Sequence, residues 1–291
     1  MYANAQIATM ADATFDNGFG VCSGGCCRDA KKRRTILFLE CGMSDRRRSN
    51  VTGLAIVPAS SEMIIRNRIL SMLTESEYLR LHPDLEYVGL SASSVLCAPG
   101  DMVRHIYFPN DAVVSLLCDV DQHRKVEVAM EGNESAVGFA HHLGGMKSSN
   151  LSIVRDGGTA MRLEAGALRR CLDRCECLDE LLHKSAQALV VQIVRSGVCN
   201  RFHNIEARVS RWLLMTGDRV GSHELHATHE SIARMLGVRR SGVAEAAFGL
   251  RERCLISYRR GRIKILDAPG LRAASCFCYG AMKREYDSFL T

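Results

Sequence analysis

THESIARMLGVRRSGVAEAAFGLRERCLISYRRGRIKIL, residues 228–266, is the stretch on which the fold turns. Thr228 is a good N-cap residue, and Glu230 follows in the first turn, where negative charge suits the helix dipole. Ala233 falls where two crossing helices come closest, and Gly237, four residues on, can take the left-handed conformation that ends the first helix. Val238 and Val243 are expected to fill the angle between the helices, with Ile232, Leu236 and Leu250 around them. This is the spacing of a helix-turn-helix. The last twelve residues of the stretch, LISYRRGRIKIL, set Ile256 and Tyr258 against Ile263 and Ile265 around a basic turn containing Gly261, which predicts a β-hairpin. A helix-turn-helix followed by a basic hairpin is a winged helix. Upstream, IEARVSRWLLMTGDRVG (205–221) predicts a helix that buries Val209, Trp212, Leu213 and Leu214.

Charge is concentrated in the same stretch. Residues 234–264 hold nine basic side chains against Glu245 and Glu252, a local excess of seven positive charges on a chain whose formal net charge is +6. A basic segment on an otherwise near-neutral protein suits a polyanion-binding face, although a solvated arginine-rich helix face has the same composition. The second helix is expected to start near Arg239, with Arg239, Arg240, Ser241 and Gly242 in its first turn and Glu245 one turn on. Residues there face base edges when such a helix enters the major groove of double-stranded DNA. Arginine can bond guanine twice, serine a phosphate or a base, and glutamate the cytosine amine. Arg259, Arg260 and Arg262 on the wing would meet phosphates, as would Thr228 and His229 at the start of the first helix.

Ahead of this unit the pattern changes twice. From Leu178 through Leu181, Leu182, Ala186, Leu189, Val190, Ile193 and Val194 an apolar stripe predicts one long helix, whose stripe is expected to be covered partly by the first domain and partly by the same helix of a second subunit, with a monomer that buries it internally as the alternative. Before Ala165 come short β-rich runs, HIYF (105–108), AVVSLL (112–117), VEVAM (126–130), SIVR (152–155) and AMRL (160–163). APGD, PND, EGNE, GG and DGG separate them, which points to a sandwich or closed barrel of jelly-roll type. RNRILSMLTESEYLRL (66–81) predicts a helical lead-in with Thr74 as an N-cap.

The expected organisation is α+β. Residues 1–60 form an extension without periodicity, 61–165 a β-roll sensor domain, 166–202 a dimerisation helix, 203–271 the winged helix-turn-helix and 272–291 a C-terminal tail. The extension carries basic runs at Lys31–Arg34 and Arg46–Arg48. It reads as a disordered tail or as sequence upstream of a true start at Met43 or Met63, with a basic arm touching DNA as the alternative. No apolar run reaches the roughly 18 residues a membrane span needs, so a cytoplasmic protein is expected. Thirteen cysteines scattered through a chain of 291 residues are expected to be reduced thiols rather than a disulfide framework.

Taken in order, YVGLSASSVLCAPGD, HIYFPNDAVVSLL, VEVAMEGNESAVG, RWLLM, ARMLGVRRSGV and RRGRIKILD make the chain from about Asn67 to Leu290 resemble the Crp/Fnr family of bacterial transcription regulators. The resemblance implies a cyclic-nucleotide-binding-like sensor domain, a homodimer on a near-palindromic operator, and RNA polymerase as a further partner. It puts Arg240 at the family's base-reading arginine, whereas Glu245 stands where a second basic residue is usual. Members that bind cyclic AMP use a glutamate just after a barrel glycine, and an arginine followed by serine or threonine for the phosphate. Here Phe139 follows Gly138, and Ser149 and Asn150 stand where the arginine pair should be. Lys147 could substitute only with a repositioned loop, so cyclic AMP is not expected, and no cofactor is.

Two other readings compete. An iron–sulfur or thiol redox sensor of the same fold would draw on Cys22, Cys26 and Cys27 with Cys118, although their spacing does not match the family's cluster pattern. Cys276 and Cys278, with Cys254, form a weaker set, expected to be buried small residues rather than a metal site. A metal-dependent hydrolase is suggested by HELHATHE (223–230), but zinc hydrolysis of that type needs histidines four apart on one helix face, and Ala227 stands four after His223. No nucleophile triad, phosphate-binding glycine loop or dinucleotide fingerprint is present, so the protein is not expected to be an enzyme.

Overall fold

The computed structural model describes residues 54–56, 65–140, 147–288 and 290. Apart from the strand Leu54–Ile56, the 1–60 extension lies outside these residues, and with it the two basic runs, Met43, Cys22, Cys26 and Cys27; Met63 lies outside them as well.

Helices α1 (Arg68–Ser71) and α2 (Glu75–Leu81) lead in. Asn67 caps the first, and Thr74 with Glu77 forms a capping box on the second. Eight strands follow, β1 (Leu54–Ile56), β2 (Leu85–Leu90), β3 (Val95–Cys97), β4 (His105–Pro109), β5 (Val113–Asp119), β6 (Lys125–Glu131), β7 (Leu151–Asp156) and β8 (Gly158–Glu164); β4 to β8 match the five predicted runs, whereas β2 and β3 were not singled out and β1, paired with β2, lies in the stretch expected to be an extension without periodicity. They pair antiparallel into two four-stranded sheets, ordered β1-β2-β8-β4 and β3-β7-β5-β6. No strand ladder joins the two sheets among the described residues, and the sandwich form of the expectation describes them. Val88, Leu90, Tyr107, Val114, Val154 and Ala160 from both sheets form the core between them. β5 is buried at five consecutive positions, because its second face is covered by helices. That is why AVVSLL reads as an unbroken apolar run rather than an alternating one.

The chain turns helical at Ala165, as the change of period predicts, in α3 (Ala165–Leu172), and then runs through α4 (Glu176–Phe202). The predicted apolar stripe on α4 divides into two faces. Leu178, Leu181, Leu182 and Leu189 are buried against the sheet domain, while Val190 and Val194 stand 58% and 59% exposed on another side, in line with Val198. His203 is extended and ends the helix, and Asn204 caps α5 (Ile205–Val220), which buries Val209, Trp212, Leu213 and Leu214 as expected.

The C-terminal unit adds β9 (Glu224–His226), α6 (His229–Leu236), α7 (Arg240–Glu252), β10 (Ile256–Arg259), β11 (Arg262–Ile265), α8 (Ala268–Ala274) and α9 (Cys278–Asp287). The hairpin has the predicted register, Ile256 opposite Ile265 and Tyr258 opposite Ile263, and β9 joins it as a third strand through β11. The last stretch, expected only as a tail, contains α9, whose buried Tyr279, Met282 and Tyr286 pack on α4 and α5.

Buried polar groups tie the sheet domain to the helices behind it. The Trp212 indole N–H donates to Glu127 Oε1 at 2.9 Å, and Ser115 donates to the other oxygen of that carboxylate. Arg155 lies 3.6 Å from Glu127 and stacks over the Trp212 ring at 4.7 Å. Arg219 of α5 pairs with Glu134 at 2.8 Å, with both side chains almost fully buried. Gly132 leaves the room this requires, since a Cβ there would come within 2.8 Å of Arg219.

Glu131 lies beside this pair. Burial, helped by the neighbouring Glu134 charge and opposed by Arg219, pushes its pKa up to about 8. The folded protein therefore keeps a proton that an unfolded glutamate releases near 4.5. The folded state binds more protons across that interval, so this contribution to stability is full below the unfolded pKa and is lost as pH rises through about 8. Urea denaturation of Glu131→Gln should show a shallower fall in stability than wild type between about pH 4.5 and 8. Parallel pH profiles would mean that Glu131 is ionised in the folded protein.

Candidate nucleic-acid interface

Local chemistry shapes the helix-turn-helix. Thr228 and Ser231 form a capping box at the start of α6, and Gly237, with φ +62°, ends the helix in the left-handed conformation. The Gly237 and Val238 N–H groups donate back to carbonyls of the last turn of α6. Val243 is fully buried between the helices and Val238 is half-buried beside it. Gly242 falls on the inner side of α7, where a Cβ would come 2.7 Å from the Ile205 side chain, so the glycine lets α7 approach α5 closely. The first-turn position that the sequence assigns to DNA is thus a packing position as far as any side chain is concerned.

The rest of the α7 start is open. Arg239 is the N-cap residue but gives no side-chain cap, and Arg239, Arg240, Ser241 and Glu245 are exposed. Uncapped first-turn N–H groups and the positive end of the helix dipole together favour an anion. On the wing, Arg260 and Gly261 occupy the two-residue turn with φ +49° and +77°. That pair of positive φ values matches the twist of the strands they join. Arg259, Arg260 and Arg262 are exposed there. Among the described residues none of the five arginines, 239, 240, 259, 260 and 262, makes a side-chain hydrogen bond or ion pair with the protein. Five unneutralised guanidiniums thus gather on α7 and the wing, the kind of charge that a phosphate backbone would neutralise.

Two side chains join the helices to the wing. His229 stacks on Tyr258 with ring centroids 4.4 Å apart, and burial followed by the Arg240 charge lowers its pKa, disfavouring the charged ring. Thr228 faces the wing turn, where a Gly261 Cβ would lie 3.4 Å from its methyl group, and Ala227 N–H donates to Gly261 O. Thr228 and His229 therefore sit at the junction of α6 and the wing, with the Thr228 hydroxyl engaged in the cap. Arg208, which no sequence pattern singled out, donates from its buried guanidinium to the Leu236 carbonyl and so closes the C-terminal end of α6.

Residues 207–274 match the family model of the Crp-like helix-turn-helix domain. With that domain the chain is a DNA-binding transcription regulator. No curated protein matches the sequence. Among solved structures, the c-di-GMP-responsive global regulator CLP of Xanthomonas campestris aligns over 66% of this chain and 99% of its own, with 13% identity and a TM-score of 0.55. FixK2 of Bradyrhizobium japonicum aligns over 66% and 98%, with 10% identity and a TM-score of 0.55. A Crp/Fnr-family transcriptional regulator of Thermus thermophilus aligns over 65% and 98%, with 18% identity and a TM-score of 0.54. At these identities the likeness is one of fold. Of the HELHATHE histidines, His223 and His226 are exposed at the edge of the wing sheet and His229 is stacked on Tyr258.

Elsewhere in the regulator, Cys118 donates to Asn150 Oδ1 at 2.9 Å, Ser149 and Lys147 are exposed, and Phe139 is buried in the core beside His183 of α4.

Gly237 is constrained both by its backbone and by its neighbour. An alanine there would take a left-handed backbone, with its Cβ 3.2 Å from Val126 of β6. Gly237→Ala should lower unfolding free energy by about 1 to 2 kcal/mol, measured by denaturant titration. A neutral result would show that the turn relaxes without cost.

Proposed function

We propose that this regulator acts as a homodimer on a near-palindromic DNA operator, with α7 in the major groove and the wing on flanking phosphates. The observation that carries this reading is the set of exposed arginines at the start of α7 and on the wing, without protein partners, in a Crp-like helix-turn-helix domain. Arg240 reads a guanine, Arg239 and Ser241 contact neighbouring bases or phosphates, and Glu245 accepts from a cytosine. Arg259, Arg260 and Arg262 bind phosphates, and Thr228 and His229 hold the junction against the backbone. RNA polymerase is the further partner expected of such a regulator, and the cytoplasm its compartment. None of the described helices is long and apolar enough to cross a membrane.

The sensor domain is not built for a cyclic nucleotide phosphate. Exposed Ser149 and half-buried Asn150 supply no guanidinium, and Arg155, the nearby strand arginine, is committed to Asp156, Glu127 and Trp212. Occupancy of DNA would then follow protein concentration or a different signal.

The second subunit fits the outer face of α4. Val190, Val194 and Val198 repeat every four residues, are exposed and follow the i, i+4 ridge used in helix–helix packing. Val194→Glu should shift the protein from dimer to monomer in sedimentation experiments at micromolar concentration. An unchanged dimer would move the interface elsewhere.

Binding selection with purified protein at a fixed salt concentration should recover an inverted repeat with half-sites about one helical turn apart. On that repeat, Arg240→Ala should lose about 1 to 3 kcal/mol of specific binding, with much smaller loss on random DNA. Arg260→Ala should weaken both alike and reduce the salt dependence. If Arg240→Ala also weakened both alike, it would be a phosphate contact rather than a base reader.

A further inference from the structure

Four ligand-type side chains, far apart in sequence, meet where the long helix ends. Cys199 and His203 lie one turn apart at the C-terminal end of α4, and Cys276 and Cys278 flank Phe277 at the start of α9. Their three sulfurs and one imidazole nitrogen all lie within 4.8 Å of one another. Cys199 Sγ is 3.4 Å from Cys276 Sγ, and Cys278 Sγ is 3.7 Å from His203 Nδ1. A tetrahedral zinc ion, with bonds of about 2.3 Å to sulfur and 2.0 Å to nitrogen, spaces its ligand atoms about 3.5 to 3.8 Å apart. Side-chain shifts of a few tenths of an ångström to about one ångström close the remaining gaps. All three cysteines are buried, and His203 is half-buried with Phe277 against its ring edge.

The surroundings call for negative charge at this place. Arg208 and Arg211 are 7% and 5% exposed, and neither has a carboxylate in ion-pair range among the described residues. The Nε of each lacks a hydrogen-bond acceptor. Arg208 otherwise reaches only the Leu236 carbonyl, and Arg211 only the thioethers of Met215 and Met282. Arg211 acts electrostatically on all three sulfurs, and Cys199 and Cys276 act on Arg208. Buried guanidiniums need a counter-charge, and three neutral thiols do not supply one. Three thiolates around one divalent cation carry a net charge of −1.

We propose that Cys199, His203, Cys276 and Cys278 form a structural zinc site of the Cys3His type. Each thiol gives its proton to solvent as its sulfur–metal bond forms, and His203 binds as neutral imidazole. Four protein ligands fill the tetrahedron, so no position remains for water or substrate. The ion cross-links α9 to the end of α4, next to the break at His203 and Asn204 from which the DNA-binding unit begins.

The test is metal analysis of the full-length protein purified under reducing conditions without chelator, followed by stripping and titration with Co2+. One zinc per chain is expected, and cobalt should bind one to one with the intense visible absorption of tetrahedral thiolate coordination, displaced by Zn2+. Cys278→Ser and His203→Asn should bind cobalt at least about tenfold more weakly with an altered spectrum, while Cys254→Ser, at an exposed cysteine outside the cluster, should match wild type. The wild-type titration decides the question even if the cluster variants fail to fold. Reduced wild-type protein without zinc and without a tetrahedral cobalt spectrum overturns the proposal. An unchanged spectrum in Cys278→Ser overturns it too, as does a Cys199–Cys276 disulfide in place of the metal.

Discussion

The contact between Trp212 and Glu127 is the interaction on which the arrangement of the two halves depends. A carboxylate at this depth is tolerable only if its oxygens are satisfied, and here Trp212 and Ser115 donate to it while Arg155 supplies the opposing charge. Each partner comes from a different part of the chain: β5, β6, β7 and α5. Removing any one of them leaves a buried charge or donor without compensation, which costs more than the intact contact contributes. The network therefore fixes where α5 lies on the sheet domain, and α5 in turn carries the helix-turn-helix.

The Arg219–Glu134 pair repeats this logic a few residues further along α5. Gln192 of α4 adds hydrogen bonds to the Met130 backbone, so β6, α4 and α5 are held by polar as well as apolar contacts. Gly237 lies against Val126 at the edge of the same strand. The turn of the helix-turn-helix is thus in touch with the sensor sheet, while Arg239 and Arg240 of α7 and the wing arginines are exposed.

Most of the fold was legible because it rests on short-range rules. Thr228 and Thr74 cap their helices as their positions suggest, Gly237 takes its left-handed turn, and the hairpin pairs Ile256 with Ile265 around Arg260 and Gly261. The Arg239, Arg240 and wing arginines were recognisable for the same reason, since their place on an exposed first turn or hairpin follows from the local pattern. The stripe on α4 was expected to be covered only in part by the first domain, but helical period alone does not say which of its apolar residues meet the sheets and which stay bare. Gly242 was assigned to DNA by position, whereas its missing side chain serves the approach of α7 to α5.

What the sequence by itself determined is the set of elements, their order and the basic segment, because caps, turns and apolar period act over a few residues. Only the tertiary structure decided the partners of buried charged and sulfur-bearing side chains. Glu127 and Trp212 are 85 residues apart, and Cys199 and Cys276 are 77 apart. No periodicity connects such pairs; they meet because α5 packs on β6 and α9 folds back on α4, and burial then obliges each polar group to find a partner.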